Sequence, residues 1–259
     1  TRRRACRILC QVFSPSPWDA HASRKRKEGQ KTGASVEGSP RRLDSPPAPP
    51  AAPPLASSRR MTILLTNDIH GSLLPYPAPW SKSETRPMVG AMASVAAYVR
   101  RSRAVAAALA EPLFLFDAGD IYQGTPEGTL TKGSAMIAVM NALRYDAIAP
   151  GNHEYDHGRE NAERIFASLQ APVLGANVVD TATGKLEKGL HRSLVLERGG
   201  VRLALTGLLT TNMHTLTFEK NIRNLEFRPQ VETLMDILPD MRAANCDLTI
   251  LISHTGFQE

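Results

Sequence analysis

The chain has 259 residues, enough for one large domain or two small ones, and its 42% hydrophobic content is that of an ordinary globular protein. The net charge of +6 is unevenly spread: residues 1–60 hold 13 Lys+Arg against 4 Asp+Glu, and residues 61–259 hold 18 against 21. The basic excess therefore belongs to the leader and gives no ground for a nucleic-acid groove on the folded part. No run approaches the roughly 18 apolar residues of a membrane span.

The three cysteines, Cys6, Cys10 and Cys246, make no disulfide framework. Cys6 and Cys10 lack nearby histidines for a zinc site, and Cys246 reads as a small core residue. Residues 1–60 read as a disordered, basic, Pro-rich leader with nine of the nineteen prolines and the patch Arg24–Lys25–Arg26–Lys27. Such a segment has too little apolar surface to offset its ordering entropy. It is expected to be a solvated tail or sequence upstream of a start at Met61; a targeting peptide or a basic binding arm is the functional alternative. Ile8–Phe13 is too short for the apolar stretch of an export signal, so a cytoplasmic location is expected.

From Met61 the pattern changes. Ile63–Leu64–Leu65 predicts a buried strand that stops at Thr66–Asn67–Asp68–Ile69–His70–Gly71, and a loop with Pro75, Pro77, Pro79 and Pro87 follows. Met92, Val95, Ala96 and Val99 mark one face of a helix. Pro112–Phe116 predicts a strand ending in Asp117–Ala118–Gly119–Asp120, and Met136, Val139, Met140 and Leu143 a second helix. Ala147–Ala149 leads into the turn Pro150–Gly151–Asn152–His153–Glu154–Tyr155–Asp156.

A third helix face follows at Ala162, Ile165, Phe166 and Leu169, then a strand at Pro172–Asn177. Between Ser193 and Leu209 two β-rich runs flank Gly199–Gly200, a hairpin signal. Val231, Leu234, Met235 and Leu238 predict a fourth helix face. Leu248–Ile252 predicts a buried last strand that stops at Ser253–His254–Thr255–Gly256. This β–α alternation predicts an α/β domain over residues 61–259, with mixed sheets covered by helices.

Four strands thus end in polar turns carrying Asp68 and His70, Asp120, Asn152 and His153, and His254. Any one of them alone reads as turn or cap chemistry. Together they give carboxylates, an amide and imidazoles that a sheet would bring into one cleft. A mixed N/O set without thiolate suits Mn, Zn, Fe or Co. The alternation of Asp68 and His70 would let both point the same way in a strand-like segment.

These motifs, together with Gln123–Gly124, Glu154–Tyr155–Asp156 and Thr206–Thr211, resemble the ordered motifs of calcineurin-like metallophosphoesterases, and more narrowly the 5′-nucleotidase branch. The resemblance runs from about Met61 to Glu259. It implies a sandwich of mixed β-sheets flanked by helices, incomplete at its C-terminal end, and a phosphoester hydrolase with two divalent metal ions (Mn, Zn, Fe, Co or Mg). Asp68 and His70 would hold one ion and Asn152 and His254 the other. Asp120 would bridge them, one oxygen for each cation. His153 would stabilise developing charge or protonate the leaving group, with Asp156 fixing its tautomer. Glu154 and His157 read as turn and surface residues, and His21, His191 and His214 as histidines without a motif.

The partner implied is a small-molecule phosphoester, a nucleotide first. A cyclic nucleotide, a nucleotide sugar or a sulfur ester is the alternative, as is a metal-binding domain without catalysis. The family also carries a Gly-His-x-His or Gly-His-x-Gln motif and a base-stacking C-terminal domain beyond the Ser-His strand. Neither occurs before Glu259, so the chain is expected to be a portion of an enzyme, weak or inactive by itself.

Overall fold

The computed structural model describes residues 6–13, 59–78 and 80–256. In chain order the elements begin with β1 (Cys6–Phe13), β2 (Arg59–Thr66), β3 (Pro75–Pro77), β4 (Met88–Gly90), α1 (Met92–Ala108) and β5 (Leu113–Asp117). Next come α2 (Pro126–Leu130), α3 (Ser134–Leu143), β6 (Ala147–Ile148), α4 (Arg159–Ser168), β7 (Val173–Leu174), β8 (Val178–Asp180) and β9 (Leu190–His191). The last are β10 (Leu194–Arg198), β11 (Val201–Leu209), α5 (Met213–Leu216), β12 (Leu225–Phe227), α6 (Gln230–Ala243) and β13 (Leu248–His254).

Two sheets dominate. One is parallel throughout, in the order β1-β2-β5-β6-β7-β9; the other has the order β10-β11-β13, antiparallel then parallel. Side-chain alternation decides how they stack. From the first sheet Met61, Ile63, Phe114 and Phe116 join Val201, Leu203, Leu205 and Ile252 of the second in one buried cluster. Their sequence neighbours Leu64, Leu113 and Leu115 face the other way, against Met92 and Val99 of α1 and Met136 and Met140 of α3. Ile237 and Met241 of α6 pack on Ala204 and Leu208, on the far side of the second sheet. The result is a β-sandwich with helices on both outer faces.

The hairpin at Gly199–Gly200 is a two-residue turn, with Arg198 opposite Val201 and both glycines at positive φ (58° and 72°). That left-handed pair matches the twist of the flanking strands.

Several expectations change. Within the leader read as disordered, Cys6–Phe13 forms an edge strand parallel to β2, a use its β-branched and aromatic residues permit; residues 14–58, with His21, lie outside the described residues. The Pro-rich loop contains the short antiparallel pair β3–β4, whose prolines stand at its edge. On α6 the face read from Val231, Leu234, Met235 and Leu238 is only partly inward: Val231 and Met235 point to solvent, at 74% and 68% exposure, Leu234 packs against the core, and Thr233, Ile237 and Met241 are buried. Both sets share helical spacing, and only the sheet beneath selects between them. β13 is half-exposed where a buried strand is expected, because among the described residues it has one partner, β11, and shows Thr249, Leu251 and Ser253 outward.

Phe116, 1% exposed between the two sheets, supplies a stability test. Phe116→Ala is expected to lower unfolding free energy by about 3–5 kcal/mol in urea denaturation. Val231→Ala on the exposed face of α6 is expected to change it by less than about 0.5 kcal/mol. Equal effects would contradict the layer assignment.

Candidate metal centre

β2, β5 and β6 are neighbours in the parallel sheet, and β13 belongs to the sheet packed on it. Their C-terminal ends deliver the polar turns to one place. Asp68, Asn152 and His254 line the same cavity of about 480 Å³, together with Thr210 and Asn212 after β11.

Asp68 and His70 do not continue β2 as a strand-like segment. The strand stops at Thr66, and both residues lie in the left-handed region, at φ 51° and 49°. The backbone explains the departure: the N–H groups of Asp68, His70 and Gly71 donate to the carbonyls of Gly119, Asp120 and Ile121 at 3.0, 2.9 and 2.9 Å. The turn after β2 therefore runs along the turn after β5. Asp120 itself is at φ 58°. Left-handed backbone costs non-glycine residues roughly 1–2 kcal/mol and persists where surrounding bonds enforce it.

The turns after β5 and β6 touch backbone to backbone. A Cβ on Gly119 would come within 2.2 Å of the Gly151 nitrogen, and one on Gly151 within 2.1 Å of Asp120 Oδ1. Only glycine fits at either position.

Asp120, 3% exposed, is the centre of the cluster. Its Oδ2 lies 3.2 Å from Nε2 of His254, 3.9 Å from that of His70 and 4.0 Å from that of His153. Its Oδ1 accepts the His153 backbone N–H at 2.9 Å. The two oxygens therefore differ in use, Oδ2 facing the imidazoles and Oδ1 the backbone. His70 Nε2 also lies 3.5 Å from Asp68 Oδ1, and Asn67 Nδ2 donates to Asp68 Oδ2 at 2.5 Å.

Each histidine is held by its other nitrogen. Nδ1 of His70 meets the Gln123 carbonyl at 2.7 Å, Nδ1 of His254 the Ala118 carbonyl at 2.7 Å, and Nδ1 of His153 the Asp156 carboxylate at 2.6 Å. A carbonyl can only accept, so His70 and His254 carry a proton on Nδ1; the Asp156 carboxylate likewise favours one on His153. Nε2 is then the free ligand atom on all three. Two groups of donors, each within 4.8 Å, could hold an ion: His70, Asp120 and His153, and Asp68, Asp120 and His254. The set of nitrogen and oxygen donors fits divalent cations, and Asp120 is common to both groups.

Asn152, 8% exposed, makes no capping bond to the one-turn helix His153–Tyr155 that it precedes, so the ordinary turn role of asparagine is not in use. Tyr155 anchors the turn from behind, fully buried between Phe166 and Phe227.

Glu154 and His157 correct the reading of surface residues. Glu154 is 1% exposed and accepts three backbone N–H bonds, from Gly151 at 2.6 Å, Ile121 at 2.8 Å and Asp120 at 3.0 Å. His157 is half-buried, with Nδ1 2.9 Å from the Tyr122 hydroxyl. A sequence cannot display which side of a turn faces inward, and the alternation of Glu154 with His153 and Tyr155 carries no burial signal. His191 and His214 are exposed and stand apart from the cluster.

The charges are strongly interdependent. Burial draws the His254 imidazole down, but the Asp120 carboxylate and the Ala118 carbonyl hold it up at about 9. The Asp156 hydrogen bond raises His153, against burial. Burial lowers His70, but Asp68 and the Gln123 carbonyl outweigh it, for a net rise. Burial works against ionised Asp120, yet His254 and His153 hold its carboxyl below the usual range. Glu154 is pushed up by burial and by the charge of Asp120, against its three N–H donors.

The model of the calcineurin-like phosphoesterase family matches residues 61–258, and the chain belongs to that family. Human 5′-nucleotidase is 34% identical over 212 residues, which cover 79% of this chain and 35% of the human one. A probable 5′-nucleotidase of Treponema pallidum is 31% identical over 206 residues, 79% of this chain and 34% of that one. Among solved structures, a 5′-nucleotidase precursor from Thermus thermophilus superposes with a TM-score of 0.67 at 27% identity, covering 76% of this chain and 38% of that one. Haemophilus influenzae NAD nucleotidase gives 0.65 at 27% identity, covering 76% and 34%. The chain spans about a third of the length of the curated relatives it matches.

Beside the centre lies a further buried acid. Asp117 accepts the Thr66 hydroxyl at 2.6 Å and the Gly119 N–H at 2.8 Å, and burial pushes its carboxyl up to about 8 from the ordinary 3.8. Between those values the folded state binds a proton that the unfolded state has released, so stability falls as pH rises. Asp117→Asn mimics the neutral acid. In urea unfolding with EDTA, the variant is expected to gain on the wild type from pH 5 to 8.5 by at least about 1.4 kcal/mol, the worth of one pKa unit. A constant difference across that range would contradict the assignment.

Proposed function

We propose that this centre holds two divalent cations and that the protein hydrolyses a phosphate monoester, with a nucleotide as the substrate class. The observation that carries the reading is the position of Asp120, a buried carboxylate common to both donor groups, whose Oδ2 faces three imidazole Nε2 atoms. Asp68 and His70, whose donor atoms lie 3.5 Å apart, would hold one ion and Asn152 and His254 the other, with Asp120 shared, a pairing that cuts across the two donor groups, which set Asp68 with His254 and His70 with His153. Two such ions, when bound, polarise the phosphoryl group, activate the attacking water and stabilise the leaving oxygen.

The remaining work falls to the chain. His153 has its Nδ1 tied to Asp156 and its Nε2 directed to the cluster, which suits a group that donates a proton or a hydrogen bond to the departing alkoxide. Asp156 favours the proton on Nδ1 and raises the basicity of the ring, which supports the imidazolium form from which Nε2 can donate. Thr210 and Asn212 line the same cavity and offer uncharged polar contacts to a substrate. The nucleotide class is supported by the names of the relatives, two of them 5′-nucleotidases and one an NAD nucleotidase. One observation favours a second role for His153: it stands in the donor group with His70 and Asp120, as a ligand would.

Asp120→Asn in the native gene product is expected to reduce Mn-dependent hydrolysis of AMP by far more than tenfold, with loss of metal. Retention of a tenth of the activity, a barrier change of only ~1.4 kcal/mol, would exclude Asp120 as the shared ligand. For His153→Ala the expected result is a fall in kcat of about 10²–10⁴-fold with metal content intact. Loss of metal in that variant would make His153 a ligand.

A further inference from the structure

We propose that Glu154 is a positioning residue that sets the affinity of the centre for its second ion without touching either ion. The inference rests on the two-ion reading above.

Glu154 belongs to neither donor group. Its carboxylate is taken up by the amides of Asp120 and Ile121 in one turn and of Gly151 in the other. One buried side chain thus ties the turn carrying the shared ligand to the turn carrying Asn152 and His153. The tie is closed from the opposite side, where the His153 N–H returns to Asp120 Oδ1. Asp120 is at positive φ, so its carboxylate points at the cluster only while that conformation is enforced, and the amide of this same residue is one that Glu154 receives. Because the turns meet at Gly119 and Gly151 with no room for a side chain between them, the enforcement has to come from behind. Loosening it would let Asn152 move relative to Asp120. The ion held by Asp68, His70 and Asp120 would be less affected, because the turn after β2 has its own three backbone bonds to the turn after β5.

Glu154→Gln keeps the volume but replaces one acceptor oxygen with an NH₂ group, which confronts a backbone N–H with another donor. The test is titration of EDTA-stripped protein with Co²⁺, reading affinity and the visible d–d spectrum, for wild type, Glu154→Gln and Asp120→Asn. Expected for Glu154→Gln is an intact fold by circular dichroism, a tenfold to hundredfold loss in affinity for the weaker ion, and an altered spectrum at saturation. A merely structural role would lower the melting temperature and leave the spectrum of the saturated protein unchanged. Wild-type affinities and spectrum in Glu154→Gln, with binding lost in Asp120→Asn, would overturn the role of Glu154 alone. Wild-type binding by Asp120→Asn would overturn the two-ion reading and this inference with it. Should Glu154→Gln fail to fold, hydrogen exchange in the stripped wild type decides. Protected amides at Asp120, Ile121 and Gly151 are expected, and rapid exchange there would overturn the proposal.

Discussion

The centre depends on how the three-residue turn Gly119–Asp120–Ile121 satisfies its own backbone. Its carbonyls accept from the turn after β2, and the amides of Asp120 and Ile121 donate to Glu154. With peptide groups engaged on both sides, the turn has no free polar group for water to compete over, and a conformation unfavourable for aspartate becomes the least costly one available. The chemistry follows from that. The Asp120 side chain has nowhere to go but into the space bounded by His70, His153 and His254, where it is almost wholly removed from water. A buried carboxylate must find positive charge. A protonated His254 provides it when no cation is bound, which is why that imidazole is held near 9. On the two-ion reading proton and cation would be alternatives on the same Nε2, and cation binding would displace the proton.

The sandwich explains why the clustered donor groups come from distant stretches of chain. Three turns belong to adjacent strands of one sheet, and side-by-side strands can deliver only a row. A pocket needs a second row, and His254 supplies it from β13 of the sheet packed opposite. The phenylalanines that glue the sheets together, Phe114 and Phe116, are on the strand that ends in the Asp120 turn. Packing between the sheets therefore sets how far His254 stands from Asp120. Asn177 adds a local pin: its amide donates to and accepts from the backbone of Leu209, just before Thr210 and Asn212.

The strand ends are legible in the sequence because an apolar run that stops abruptly at Asp, Asn or His is a one-dimensional signal, and the positions of Asp68, His70, Asp120, Asn152, His153 and His254 need nothing more. Helix faces are legible when hydrophobicity is confined to one side, as on α4, and not when two sides carry apolar residues, as on α6. The left-handed backbone at Asp68 and His70 is invisible for a different reason: it is imposed by bonds to residues some fifty positions away. Glu154 is the clearest case. Its neighbours in sequence make it look like a hydrophilic turn, and its burial comes from amides of two turns folding over it, a property of the tertiary structure alone. Inward-facing acids of this kind carry no periodic mark.

Charge then constrains what the centre can act on. Of the four acids at the strand ends only Asp68 and Asp120 face the pocket, and a protonated His254 offsets one of them, so the bare site offers an anion little attraction. Two divalent cations shared between Asp68 and Asp120 would make the mouth of the pocket positive, leaving an excess of about two positive charges on a simple count. Charges within a few ångströms in a partly buried site interact by several kcal/mol, so that excess would decide which ligands can enter. Glu154 and Asp156 temper it little where substrate would sit, because the first spends its charge on three amides and the second on His153. A doubly negative phosphate monoester matches that excess better than a neutral ester or a singly charged diester. On this argument a preference for monoesters would come from how many carboxylates face the two proposed ions directly and how many are turned to the backbone behind them.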